Sequence, residues 1–383
     1  MDTARKHILI VAGEISGDKH AAHLVKEIHR IDPSVRFSGL GGEHMKTAGV
    51  EIYEDMMKYA VVGFVEVLKH LRDFWRLFRL VIEKAKSGKV DAVVLVDYPG
   101  FNLRLAKELK SLDIKVIYYI SPQVWAWKEN RVETIRRCVD RMLVLFDFEK
   151  DFYTKRGVNS SFVGHPLVDT VTASLSRDDV LASVGFSPRA TIISLLPGSR
   201  TKEIDRHLPV MLKTARRLHR DDQNTCFLIF KAPGMDKEIY EKIIARFNEK
   251  LPVRIWEDDF YNGIFASDAC IAASGTATLE LAVARKPMVV IYKTAMITWL
   301  LAKFLIKIPY VALVNVVAQK RVVPECLQFD ANPEKIASTL QEIYQDPQKR
   351  EKMKEELSAV TRRLGDKGAS RRAAEEILDA VRD

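Results

Sequence analysis

The feature that most constrains this 383-residue chain is an alternation that runs along its length. Short runs of apolar and β-branched residues are each followed by a segment with apolar residues at helical spacing. Such runs stand at 7–12, 91–96, 115–120, 141–145 and 161–163, with helical segments at about 18–30, 102–110 and 128–137. A strand that is apolar on both sides must be covered on both faces. Strand–helix–strand order supplies that cover and makes successive strands parallel. From 169 to 189 the rhythm pauses, punctuated by Gly185 and Pro188. It resumes with strands expected at 191–196, 225–231, 253–256, 269–272 and 287–291, and a long helix at 202–220. The simplest architecture is α/β with two doubly wound units, 1–168 and 190–345. Charged helices over 346–383 would pack back on the first unit or exchange in a dimer.

Composition narrows the class. A 47% hydrophobic and 29% charged chain can bury a core in each unit, so disorder is not expected. Cys138, Cys226, Cys270 and Cys326 form no CxxC pair, and there is no HExxH, so neither a disulfide framework nor a metal is required. That usage suits a reducing cytosol. The apolar run at 7–12 is too short for the core of a secretory signal, and the stretch 294–317 is broken by Lys303, Lys307 and Pro309. No membrane span is therefore expected. The +9 balance, 60 Lys+Arg against 51 Asp+Glu, attracts polyanions. The basic residues are scattered and make no stripe with interleaved aromatics, so nucleic acid is not the expected partner.

In parallel sheets ligands bind beyond the carboxyl ends of the strands, so the loops there are where chemistry is expected. Gly13, Glu14, Ile15, Ser16, Gly17 and Asp18 follow the first run. They read either as a plain glycine turn or as a loop that brings backbone to a ligand at a helix N-terminus. Asp97 follows the strand 91–96; it is either a loop residue or a general base for an attacking hydroxyl, with Asn102 capping the next helix. Ser121-Pro-Gln-Val-Trp-Ala-Trp places Gln123, Trp125 and Trp127 in a third loop, where indoles stack on sugar or simply pack. Gly198, Ser199 and Arg200 precede the long helix and read as a phosphate site in preference to a plain turn, although no Walker loop is present. Ser274, Gly275 and Thr276 open another helix, with Glu280 one turn on, placed for ribose hydroxyls. The last two loops together describe a nucleotide-diphosphate pocket. Glu257-Asp258-Asp259 departs from a metal-binding DxD at its first position and reads as a loop.

One helical stretch carries a surface signal. Phe64, Val67, Leu68, Leu71, Phe74, Trp75, Phe78 and Ile82 share a face, flanked by Lys69, Arg72, Arg76 and Arg79. Two readings stand: a core-packed helix, or an interfacial helix lying on a lipid surface.

Taken in order, the motifs resemble those of the bacterial lipid-A-disaccharide synthase family, glycosyltransferases of the GT-B type. They are AGEISGD (12–18), GFVEVL (63–68), VDYPGFN (96–102), SPQVWAWK (121–128), FEKDFY (148–153), FVGHP (162–166), LLPGSR with Glu203 (195–203), ASGTATLE (273–280) and KPMVVIY (286–292). The resemblance covers nearly the whole chain. It implies two Rossmann-like domains facing each other across a cleft. It also implies metal-independent, inverting transfer of a sugar from UDP-2,3-diacylglucosamine to 2,3-diacylglucosamine 1-phosphate, with no cofactor. By that resemblance Asp97 and Arg200 are essential, the first a candidate base and the second a contact to donor phosphate. Gly275, Thr276, Glu280 and Asn315 belong to the UDP pocket, and the helix around 63–80 is a membrane-contacting patch. Such enzymes work peripherally on the cytoplasmic face of the inner membrane and can dimerise through exchanged C-terminal elements. This sequence departs from the family at Gly100, where a second acidic residue is frequent, and at Ala312-Leu313-Val314 before Asn315. The rival within the same architecture is a UDP-sugar epimerase.

Overall fold

A computed structural model describes residues 5–60, 71–87, 89–247, 250–296, 299 and 308–382. The chain divides into two compact units: Met1–Pro166 with Leu364–Asp383, and Leu167–Arg363.

The first unit is built on β1 (His7–Ala12), β2 (Arg36–Gly41), β3 (Glu51–Asp55), β4 (Ala92–Val96), β5 (Val116–Tyr119), β6 (Arg141–Val144) and β7 (Ser160–Phe162), ordered 3-2-1-4-5-6-7. Each described pairing is parallel. Strand alternation sends Ile8, Ile10, Val94 and Val96 into one apolar layer, and Leu9, Val11, Val93 and Leu95 into the other. All eight are fully buried, which is why these runs read as apolar throughout. Strand order reverses between β1 and β4, so the loops after these two strands open into the same crevice.

The second unit repeats the plan with β8 (Thr191–Leu196), β9 (Thr225–Phe230), β10 (Val253–Trp256), β11 (Ala269–Ala273), β12 (Met288–Tyr292) and β13 (Glu325–Leu327), ordered 10-9-8-11-12-13. Its switch point lies between β8 and β11, where Leu196 is in register with Ala272. The stretch 167–189 belongs here: Arg177 pairs with Asp268 at 2.8 Å and ties it to the start of β11.

The C-terminal helices part company. Pro347–Arg363 stays with the second unit, where Thr361 Oγ1 donates to the Ala282 carbonyl at 3.3 Å. Ala369–Arg382 returns to the first unit and packs Ala373, Ala374, Ile377 and Leu378 into the same layer as Ile8 and Leu24.

Some expectations change. Strands β2, β3 and β13 were not anticipated, since Arg36–Gly41 carries a serine and two glycines and Glu51–Asp55 is acidic at both ends. The helix expected at 128–137 is Arg131–Cys138, preceded by a short helical turn Val124–Trp127. In the helix Leu71–Ser87 the buried stripe is Leu77, Val81 and Ala85, with Phe74 and Phe78 packed against Phe101. Trp75 is 59% exposed, so the aromatic face drawn from sequence divides between core and surface. Phe64, Val67 and Leu68 lie outside the described residues, as does the Leu71 side chain.

Candidate active site

In the first unit, β1 ends at Ala12 and β4 at Val96, side by side in register. Asp97 and Tyr98 then both adopt φ 46°, two successive left-handed residues without glycine. Each such residue costs on the order of 1–3 kcal/mol and persists only where its surroundings fix it. Here they do. The Asp97 N–H donates to the Tyr119 carbonyl at 3.0 Å, and the Tyr118 hydroxyl donates to the Asp97 carbonyl at 2.5 Å. Asn102 Nδ2 donates to the carbonyls of Asp97 at 2.8 Å and Val96 at 3.2 Å. Asn102 is therefore not the expected cap: it sits inside the helix Pro99–Ser111 and holds the turn from below.

The turn leaves the Asp97 carboxyl largely withdrawn from water, and burial together with the charge of Glu14 raises it to about 6. Glu14 is a member of this crevice that the sequence reading did not single out. Gly13 is glycine because the Tyr98 ring occupies the space a Cβ would need. Ser16 is exposed at the rim, and Gly17 is buried in the first turn of the helix Ile15–Ile31. Asp18 is buried and committed. Its carboxylate accepts the N–H groups of Gly42, His44 and Met45 at 2.7, 3.0 and 3.2 Å, so it fixes the loop after β2.

The loop after β5 carries exposed Gln123 and half-buried Trp125. Trp125 and Phe148 form a T-shaped pair with ring centroids 5.1 Å apart, and the Trp125 Nε1 donates to buried Glu149 at 3.0 Å. Nearby His165 and His20 are held neutral by burial, lowered to about 3 and about 4.

The second unit holds a cavity of about 650 Å³ at its switch point. Gly198, Ser199 and Arg200 after β8, and Ser274, Gly275, Thr276 and Glu280 after β11, line it, as the loops suggested. Gly198 has φ 118°, and a Cβ there would stand 2.5 Å from a Glu203 carboxylate oxygen. That carboxylate accepts the Ser199 N–H at 3.0 Å and meets Arg200 Nη1 at 3.2 Å. Arg200 is the N-cap residue of the 21-residue helix Thr201–Asp221, whose first N–H groups have no intrahelical partner and suit an anion. His207 staples the turn. Its Nε2 accepts the Lys293 N–H at 2.9 Å, so Nδ1 carries the proton and donates to the Pro197 carbonyl at 2.8 Å.

Aromatic residues complete the cavity: Phe230, Trp256, Phe260 and Tyr261 line it, and none was picked out from sequence. The Tyr261 hydroxyl donates to Glu280 Oε1 at 3.1 Å, and burial with that charge pushes it up to about 12. Asp259 caps the helix Phe260–Ala266 and Glu257 is paired with Lys231 and Lys237, while Glu257 and Asp258 also line the cavity. Among the described residues no cluster could hold a metal ion.

Asn315 stands apart from the cavity lining. It is fully buried, donates to the Val323 carbonyl and Glu325, and accepts the N–H groups of Val322 and Val323. Its amide is thus bonded to Val322, Val323 and Glu325. Glu325 also accepts the Val311 N–H, and the Ser274 hydroxyl donates to the Val311 carbonyl at 2.7 Å.

The comparisons agree with this layout. In solved structures the chain is similar to a UDP-N-acetylglucosamine 2-epimerase from Neisseria meningitidis bound to UDP-N-acetylglucosamine, with TM-score 0.64 and 12% identity over 98% of this chain and 100% of that one. It is similar to the calicheamicin glycosyltransferase CalG4 with TM-score 0.62 and 15% identity over 99% of both chains. At those identities the likeness establishes the two-domain GT-B fold. Among curated proteins it is 44% identical to the lipid-A-disaccharide synthase of Syntrophus aciditrophicus over 98% of both chains. It is 42% identical to that of Nitrosococcus oceani over 98% of this chain and 96% of the relative. The profile of the lipid-A-disaccharide synthetase family matches residues 8–381. The chain belongs to the lipid-A-disaccharide synthase family and is a hexosyltransferase.

Proposed function

We propose that this chain transfers a 2,3-diacylglucosamine unit from UDP-2,3-diacylglucosamine to 2,3-diacylglucosamine 1-phosphate, releasing UDP and forming the lipid A disaccharide. The observation that carries the reading is the carboxyl of Asp97, raised to about 6 in a strained turn at the first unit's switch point. A base of that strength is mostly ionised near neutral pH and still takes a proton readily. In the reaction the acceptor hydroxyl oxygen bonds to the anomeric carbon and its proton passes to Asp97. The bond from that carbon to phosphate breaks, and UDP leaves with the electron pair. Attack opposite the leaving group inverts the anomeric centre.

The second unit supplies the donor side. Arg200, the free N–H groups of the helix Thr201–Asp221 and the loop Ser274–Thr276 suit a diphosphate, and the charge they carry stabilises departing UDP. Glu280, oriented by Tyr261, suits ribose hydroxyls, and the aromatic lining suits a base. The acceptor belongs with Asp97 in the first unit, beside Gln123 and Trp125. The lipid tails of both substrates favour work at the cytoplasmic face of the inner membrane. Exposed Trp75, beside Arg72, Arg76 and Arg79, supports contact with that surface, and among the described residues no helix is long and apolar enough to span it. Dimerisation through the C-terminal helices is compatible with the reading and is not required by it.

The test is a transfer assay with both lipid-linked sugars and mass detection. The expected result is a disaccharide 1-phosphate and UDP in equal amounts. Formation of a sugar epimer from the donor alone, with no disaccharide, would replace this reading with an isomerase.

A further inference from the structure

Glu149 is a buried carboxyl whose hydrogen-bond partners among the described residues are Ser121, Trp125 and Phe146, none of them basic. It stands at the start of the helix Asp147–Thr154, just beyond the end of β6, and is 2% exposed. Its Oε1 accepts the Ser121 hydroxyl at 2.7 Å and the Trp125 indole N–H at 3.0 Å, and its Oε2 accepts the Phe146 N–H at 3.3 Å. One turn along the same helix, the Tyr153 hydroxyl donates to the Pro122 carbonyl at 3.1 Å. Two residues on one helical face thus clamp the loop after β5 at three points: Ser121, Pro122 and Trp125. The indole is also fixed by its T-shaped pairing with Phe148, ring centroids 5.1 Å apart, while the Phe146 and Phe148 rings stack at 5.7 Å.

Burial raises the Glu149 carboxyl to about 7, so holding it here costs stability that an apolar residue serving packing alone would not. Here it fixes the orientation of a half-buried aromatic ring in the loop after β5, the strand paired with the β4 that carries Asp97 at its end. We propose that Glu149 is a positioning residue for the acceptor: through the Trp125 N–H and the Ser121 hydroxyl it holds the indole as a platform for the acceptor sugar. A flat ring held by bonds at its edge offers its face to a pyranose without losing orientational freedom on binding. The inference rests on the reading that the acceptor binds in the first unit.

Two substitutions test it from opposite ends of the same bond. Trp125→Phe keeps an aromatic face and removes the N–H; Glu149→Met keeps the volume and removes the acceptor. Glu149→Gln, which retains an oxygen for the indole, is the rescue. Steady-state kinetics are measured with each substrate varied against the other, using variants whose thermal midpoints show a folded protein. The expected result is an acceptor KM raised at least about fivefold in Trp125→Phe and Glu149→Met. Donor KM should stay within about twofold, and Glu149→Gln should lie near the parent. If neither KM moves, Glu149 is structural only and the proposal fails, while the acceptor-side reading stands untouched. If donor KM alone moves, the acceptor-side reading itself is wrong. Should Glu149→Met not fold, Trp125→Phe decides the matter alone.

Discussion

Asp97 bears two costs that an ordinary loop residue avoids, a positive φ and burial beside the like charge of Glu14. Both have measurable consequences. Asp97→Asn is expected to lower transfer by roughly 10²–10⁴-fold, the usual worth of a general base. In the parent, kcat/KM should fall as pH drops through about 6, because protonation removes the base. Stability should respond with the opposite sense. The carboxyl is raised from 3.8 to about 6 on folding, so the folded protein binds this proton more tightly. Its ionised form therefore costs stability above pH 6, and the cost fades as pH falls towards 4. Thermal melts of Asp97→Asn should show a higher midpoint than the parent at pH 8 and no advantage at pH 4. Arg200 is 79% exposed on the side chain and meets Glu203 at 3.2 Å. Arg200→Ala should raise donor KM by about 10–100-fold, on the order of 1.5–3 kcal/mol for charge-assisted hydrogen bonds, with the thermal midpoint little changed.

At the level of elements, the turn between β8 and the helix Thr201–Asp221 is shaped by Gly198, Glu203 and His207 acting together. Gly198→Ala forces a side chain into φ 118° and against the Glu203 carboxylate. It should cost roughly 1–3 kcal/mol in denaturant unfolding and raise donor KM as the Ser199 N–H shifts. Much of this was legible in the sequence. The strands that flank both switch points are apolar throughout, and their loops carry glycine, hydroxyl and charge in one short span. What was not legible has a physical reason. Strand β3 is a sheet edge, where acidic residues are tolerated, and β2 is an inner strand whose serine and glycines interrupt any apolar run, Gly39 standing where a Cβ would meet the Ile10 carbonyl. The aromatic wall of the cavity draws Phe230 and Trp256 from strand ends and Tyr261 from a helix start, positions adjacent only in the folded sheet. Asp18 sits in a motif that reads as a ligand loop, and Asn315 is implied only by resemblance, yet the polar atoms of both are spent on neighbouring backbone and Glu325.

On the scale of the whole molecule, each unit brings one switch-point crevice, and the two differ in chemistry. The first offers a carboxyl raised to about 6 and a held indole; the second offers a long helix N-terminus, an arginine and an aromatic cavity. Lipid contact should reside in the first unit as well. Trp75→Ser is expected to reduce co-sedimentation with anionic vesicles at least twofold while leaving the thermal midpoint unchanged, since the ring is largely exposed. The measurement that tests this division of labour most directly is calorimetric titration of UDP into the parent, Asp97→Asn and Arg200→Ala. Asp97→Asn should bind UDP as the parent does, and Arg200→Ala at least tenfold more weakly. Equal loss of UDP affinity in Asp97→Asn would contradict the account.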